Sequence, residues 1–125
     1  MISGTGIDIV FITRFDRAIK RFGDRFTRHI LSEEEARYCF SKKNPAPHFA
    51  ARFAAKEAFF KAVGDYRGRN IRWRDVKVVK DRSGKPSLSL EGGAGAVMRE
   101  RGVKKIWLSM SHDTDMGVAQ VIFES

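Results

Sequence analysis

Read as a pattern of apolar and polar positions, the chain opens with a strand over residues 4–10. Ile7, Ile9 and Val10 are apolar there, and Asp8 interrupts them. Thr13 is a candidate N-cap for a helix running to about Phe22 and stopped near Gly23. Ser32 and Glu35 stand at capping-box spacing, which predicts a short helix from Glu33 to about Phe40. Asn44-Pro45-Ala46-Pro47 reads as a loop. A longer helix follows from about His48 to Val63, with Gly64 as its C-terminal stop. Beyond it the period changes. Val76, Val78 and Val79 suggest a strand, residues 81–86 a turn, and Ser87-Leu88-Ser89-Leu90 an alternating second strand. A short helix is predicted over residues 92–102. Two more strands are predicted over 105–111 and 117–123, joined at His112-Asp113-Thr114-Asp115. Helices come mostly first and hairpins mostly last, which is an α+β order.

The central helix is chemically odd. The run Ala51-Arg52-Phe53-Ala54-Ala55-Lys56-Glu57-Ala58-Phe59-Phe60-Lys61-Ala62 holds neither Gly nor Pro. Glu57 and Lys61 are four apart and share a face, with Phe53 four before Glu57 and Phe60 three after it. A carboxylate buried in such company needs a cationic partner, and Lys61 or a metal can supply it. Asp8 adds a second carboxylate from a distant segment. Strand alternation sets Ile7 and Ile9 on one face and Asp8 on the other. Asp8 therefore either faces solvent or belongs to a site. Two carboxylates from separate segments suit Mg²⁺ on a phosphate substrate, because Mg²⁺ keeps several waters and takes only one or two protein carboxylates.

Composition narrows the setting. At 125 residues and 42% hydrophobic, the chain is expected to form one domain over residues 1–125 with a modest core. No apolar run reaches membrane-spanning length, no signal peptide is evident at the N-terminus, and the lone Cys39 fits a reducing, cytoplasmic location. The net charge of +9 calls for an anionic partner. Much of it is local. Arg14, Arg17, Arg21, Arg25 and Arg28 recur at helical spacing, with Phe11, Phe15, Phe22 and Phe26 interleaved. Acidic partners are scarce there, which makes the ridge a candidate docking surface for an acidic protein. Gly84-Lys85-Pro86 and Ser109-Met110-Ser111-His112-Asp113 are looser signals. The consecutive Ser, His and Asp do not make a triad, because triads assemble in space from separate segments. There is no Walker A pattern, dinucleotide fingerprint or zinc-ligand spacing.

Four motifs occur in order: Gly6-Ile7-Asp8-Ile9-Val10, Arg52-Phe53-Ala54-Ala55-Lys56-Glu57-Ala58 with Lys61-Ala62, Gly84-Lys85-Pro86, and Ser109-Met110-Ser111-His112-Asp113. Together they resemble the holo-acyl-carrier-protein synthases, the small 4′-phosphopantetheinyl transferases, over the whole chain. The first two motifs carry most of the specificity. The resemblance implies the transferase fold, a small antiparallel-rich sheet packed with a long central helix, with active sites at subunit interfaces of a homotrimer. It implies Mg²⁺-dependent transfer of 4′-phosphopantetheine from coenzyme A to a serine of apo acyl carrier protein, in fatty acid biosynthesis, releasing adenosine 3′,5′-bisphosphate. By motif, Asp8 and Glu57 would be magnesium ligands and Lys61 a phosphate contact. Arg52, Lys85, Pro86 and His112 would contact coenzyme A, and Arg14 and Arg21 would dock the carrier. Neither nucleic acid nor membrane is expected as a partner.

The chain departs from the family in one place. Where relatives carry a Gly-rich stretch after the central helix, this sequence has Gly64-Asp65-Tyr66-Arg67-Gly68-Arg69-Asn70, and no site residue is assigned there. The alternative readings are a small basic RNA-binding module and a non-catalytic binder of acidic proteins. Both leave Asp8 and Glu57 without a task.

Overall fold

The computed structural model describes residues 1–65 and 70–125. Strand β1 (Ile2–Phe11) leads into α1 (Ile12–Phe22), α2 (Asp24–Ile30), α3 (Glu33–Phe40) and the long α4 (Pro45–Val63). A 3₁₀ turn at Trp73–Asp75 precedes the hairpin β2 (Val76–Lys80) and β3 (Pro86–Leu90). Then come α5 (Gly92–Glu100), β4 (Lys105–Asp113) and β5 (Met116–Glu124). The strands form an antiparallel sheet of order β1-β5-β4, with β2 and β3 as a separate antiparallel pair. The α+β expectation holds.

Close approach decides how the sheet meets α4. Gly4 and Gly6 share one face of β1 with Asp8 and Val10. A Cβ on Gly6 would lie 1.9 Å from the Ala58 carbonyl oxygen, and one on Gly4 would lie 2.9 Å from that of Ala62. Only glycine lets β1 lie this tightly on the helix backbone. Ala54, Ala55 and Ala58 keep the facing side of α4 small, and all three are buried. Behind them Phe59, Val76, Leu108, Val121 and Phe123 fill the main core. A second cluster gathers Ile12, Phe15, Ile30, Leu31, Cys39 and Phe49 under the N-terminal helices. Trp73 packs against both clusters, its ring 5.2 Å from those of Phe53 and Phe60.

Several boundaries differ from the sequence reading, each for a physical reason. Helix α1 begins at Ile12, and Thr13 lies inside it rather than capping it. The cap comes from 102 residues away: the Thr13 N–H donates to Asp115 Oδ1 at 2.9 Å, and the Thr13 hydroxyl donates to the same oxygen. Gly23 turns the chain at φ 58°, and a separate helix, α2, starts at Asp24. Helix α4 starts at Pro45, not His48. A proline at the first helical position lacks only an N–H that would be unsatisfied there anyway. The Ser32–Glu35 capping box forms as expected. Strand β4 runs on through His112 to Asp113, so the β4–β5 turn is tighter than expected.

Candidate active site

Asp8 and Glu57 approach one another across the β1–α4 contact. The glycine face of β1 turns Asp8 toward α4, while Ile7 and Ile9 point out and are 59% and 58% exposed. The solvent-facing alternative for Asp8 therefore does not occur: its side chain is only 13% exposed. Lys61, one turn beyond Glu57, donates to Asp8 Oδ1 at 3.0 Å and to the Ile7 carbonyl at 3.1 Å. Its amine thus serves Asp8 rather than Glu57. Among the described residues, Asp8 Oδ2 is buried and receives no hydrogen bond. Burial first, and the Asp8 carboxylate second, push the Glu57 carboxyl above the usual range, and Lys61 pulls it partly back.

This carboxylate pair fits a divalent cation. Lys61 supplies one positive charge against two carboxylates, one with an orphaned buried oxygen and the other of raised basicity, and a divalent ion would serve both. Among the described residues no cluster of three or more His, Cys, Asp and Glu could hold a metal alone. Two carboxylates match Mg²⁺, which fills its remaining positions with water and phosphate oxygens.

A second group assembles along the other side of α4. A cavity of about 220 Å³ is lined by Arg52, Pro86, His112, His48, Tyr38 and Lys80, among others. Three of the four expected nucleotide contacts thus share one cavity. Lys85 is the exception. Its neighbours Gly84 and Pro86 line the cavity, while its ammonium lies 5.9 Å from the Trp107 ring centroid. The cavity contains neither Asp8, Glu57 nor Lys61.

Tyr38, which the sequence reading passed over, organises this cavity. Lys42, Arg52 and Lys80 each face its ring, at 4.7, 4.3 and 4.5 Å from the centroid. Lys80 also donates to the Tyr38 hydroxyl at 2.5 Å. That bond, followed by the charges of the surrounding cations, lowers the pKa of the phenol despite burial. His48 is pushed below the usual histidine range, chiefly by burial and then by Arg52. Arg52 itself is buried. It donates to the His48 carbonyl at 3.2 Å, and its Nε has no partner. Cations packed this closely around one ring suit a polyanionic ligand. His48 stands four before Arg52 on α4, so helical spacing was the available signal for His48 alone.

The arginine ridge divides between two helices. Arg14, Arg17 and Arg21 are exposed on α1, and Arg25 and Arg28 on α2 beyond the Gly23 break. The interleaved aromatics do two jobs. Phe15 and Phe26 pack onto Phe49 in the second core, whereas Phe11 and Phe22 stay exposed beside the arginines.

The model of the 4′-phosphopantetheinyl transferase superfamily matches residues 4–119. The chain belongs to that superfamily. Among similar proteins, the holo-[acyl-carrier-protein] synthase of Geotalea daltonii is 45% identical over 99% of both chains. That of Syntrophotalea carbinolica is 46% identical over 98% of this chain and 96% of its own. The crystal structure of the Neisseria meningitidis synthase is 37% identical, covers both chains completely and superposes with a TM-score of 0.91. The Helicobacter pylori synthase in complex with coenzyme A is 31% identical over 96% of this chain and 99% of its own, with a TM-score of 0.83. The α+β architecture is thus that of the transferase superfamily. Of the segment where this chain departs from the family's Gly-rich pattern, Tyr66, Arg67, Gly68 and Arg69 lie outside the described residues.

Proposed function

We propose that the protein is a holo-acyl-carrier-protein synthase. It moves 4′-phosphopantetheine from coenzyme A to a serine hydroxyl of an apo acyl carrier protein and releases adenosine 3′,5′-bisphosphate. The observation that carries this reading is the carboxylate pair of Asp8 and Glu57, with its orphaned oxygen, beside Lys61. The full-length similarity to synthases supports it and favours one transferase domain over residues 1–125. The RNA-binding alternative gives the two part-buried acids no role, since they repel a phosphate backbone. The assay is the mass of an apo carrier protein incubated with the enzyme, Mg²⁺ and coenzyme A.

In this reading Asp8 and Glu57 would hold a magnesium ion, and the ion would supply positive charge to the pyrophosphate group. Lys61 sets its ammonium beside the same centre and holds Asp8 in orientation. Arg52, His112 and Pro86 bind the nucleotide part of coenzyme A. Lys42, Lys80, Tyr38 and His48 join them, and Lys85 adds positive charge from the rim. Arg14 and Arg21 receive the acidic carrier. Reversing both to Glu is expected to raise the KM for the carrier at least tenfold and leave the KM for coenzyme A within about twofold. Equal changes in both constants would sink the docking role.

The two groups come from different parts of the chain. Asp8 lies on one edge of the sheet and His112 on the other, with β5 between them. Adjacent strands lie about 4.8 Å apart, so the edges are roughly 10 Å apart. The outer face of the sheet exposes Ile7, Ile9, Phe11 and Met116, an apolar patch that a second subunit would cover. A homotrimer whose sites each combine the carboxylates of one subunit with the nucleotide cavity of its neighbour accounts for both features. Subunits carrying Asp8→Asn and subunits carrying Arg52→Ala, each nearly inactive alone, are then expected to recover activity when co-assembled. No recovery in confirmed mixed trimers would refute the shared site. No helix among the described residues is long and apolar enough to cross a membrane. The buried free thiol of Cys39, whose pKa burial raises to about 11, suits a reducing cytoplasm.

A further inference from the structure

Helix α5 holds both ends of the segment that follows the helix bearing Glu57 and Lys61. At its C-terminal end, Arg101 reaches across to α4. Its guanidinium donates to the carbonyl of Val63, the last residue of α4, and at 3.1 Å to the carbonyl of Asp65. In the first turn of α5, Gly93 lies against Asn70: a Cβ there would sit 2.1 Å from the Asn70 carbonyl oxygen. Next to it, the Glu91 N–H donates to the Asp75 carbonyl at 2.9 Å. Ala94, Val97 and Met98 fix α5 itself in the main core.

The last four carbonyls of a helix have no partner within it. Here the Phe60 carbonyl accepts the Gly64 N–H at 3.0 Å, and Gly64 leaves the helix at φ 76°. The Val63 carbonyl would be left to water without Arg101. A guanidinium suits this task, because its planar fork reaches two carbonyls at once and its charge complements the negative end of the helix dipole. The anchored turn is the one that carries Lys61, whose amine must reach both the Ile7 carbonyl and Asp8.

We propose that Arg101 is a positioning residue for the transfer reaction: by tying the Val63 and Asp65 carbonyls to α5, it fixes the last turn of α4 and so the aim of Lys61. The role rests on the transferase reading, in which Lys61 faces the phosphates of coenzyme A. It differs from general stabilisation in being coupled to one side chain.

A double-mutant cycle with Lys61→Ala reads that coupling in the carrier-mass assay. Arg101→Met is expected to lower kcat ten- to a hundredfold in the wild-type background, the scale of loss when a reacting group is misplaced by about 1 Å. In the Lys61→Ala background it is expected to cost less than about twofold, because no aimed amine is left to lose. Arg101→Lys, which keeps the charge but not the fork, is expected to fall between, and it replaces Arg101→Met in the cycle if the methionine variant does not fold. Hydrogen exchange reads the anchoring without turnover: amides 61–65 should exchange faster in Arg101→Met while those of β4 and β5 stay as in wild type. Equal losses in both backgrounds, an unchanged kcat, or unchanged exchange over 61–65 would overturn the inference. A wild-type enzyme that modifies no carrier would instead overturn the transferase reading, and this role with it.

Discussion

Replacing Asp8 by Asn, or Glu57 by Gln, is expected to lower phosphopantetheine transfer about a thousandfold while the protein remains folded. A bound metal supplies several kcal/mol of charge stabilisation to such a transition state, and each 1.36 kcal/mol is a factor of ten in rate. The folded state does not need the pair in the same way. Glu57 has no hydrogen bond among the described residues, and burial together with Asp8 raises its pKa. The sign follows from linkage. A carboxyl whose pKa is raised on folding contributes stability that is fully present below its unfolded pKa and is lost as pH rises through the folded value. Above its folded pKa an ionised Glu57 opposes folding when no metal is bound, so Glu57→Gln should melt at or above the wild-type temperature in chelator. With coenzyme A held constant, adding Mg²⁺ should raise the wild-type melting temperature further and leave that of the variant nearly unmoved. A variant with near-normal turnover would refute the assignment, and one that unfolds would show the pair to be structural.

The residue before Glu57 predicts the opposite outcome. Lys56 is wholly buried. Its amine donates to Glu35 Oε1 at 2.7 Å and to the Trp73 carbonyl at 3.0 Å. Burial, its largest influence, holds Lys56 below the usual lysine range, and Glu35 pulls it back. Glu35 is fully engaged as well, with Oε1 also accepting the Ser32 N–H and Oε2 the Val78 N–H. One ion pair thus joins α3, α4, the 3₁₀ turn and β2. Lys56→Met leaves the Glu35 charge buried without its counter-ion and should cost about 3–5 kcal/mol. For a chain of this size that is a fall of roughly 10–20 °C in melting temperature. The double variant Glu35→Gln/Lys56→Met buries no unpaired charge and should regain more than half of the loss. Calorimetry checks both. A Lys56→Met protein within about 1 kcal/mol of wild type would show the pair to be dispensable.

The contrast between these neighbours marks where sequence reading reached and where it stopped. The Glu57–Lys61 spacing and the capping box at Ser32 are local, and both were legible. Alternation separated Asp8 from Ile7 and Ile9, but which face was interior depended on Ala58 and Ala62 of α4, about fifty residues away. The informative signal was Gly4 and Gly6, which share the face of Asp8 and permit the close approach. Thr13 was misread because its partner, Asp115, is remote in sequence. The Pro45 helix start was hidden because proline serves loops and first turns alike. Tyr38, His48 and Lys80 converge on one cavity from α3, α4 and β2, and no one-dimensional spacing joins three elements. Lys56 was only part of a motif until Glu35 was found opposite it.

The central claim is that Asp8 and Glu57 form the metal site of a phosphopantetheinyl transferase. The most direct test is the intact mass of an apo acyl carrier protein after incubation with the enzyme, Mg²⁺ and coenzyme A. The wild-type enzyme should add a single phosphopantetheine to the carrier, and chelator or Glu57→Gln should abolish the addition. An unmodified carrier with folded wild-type enzyme, or modification that persists in Glu57→Gln, would contradict it.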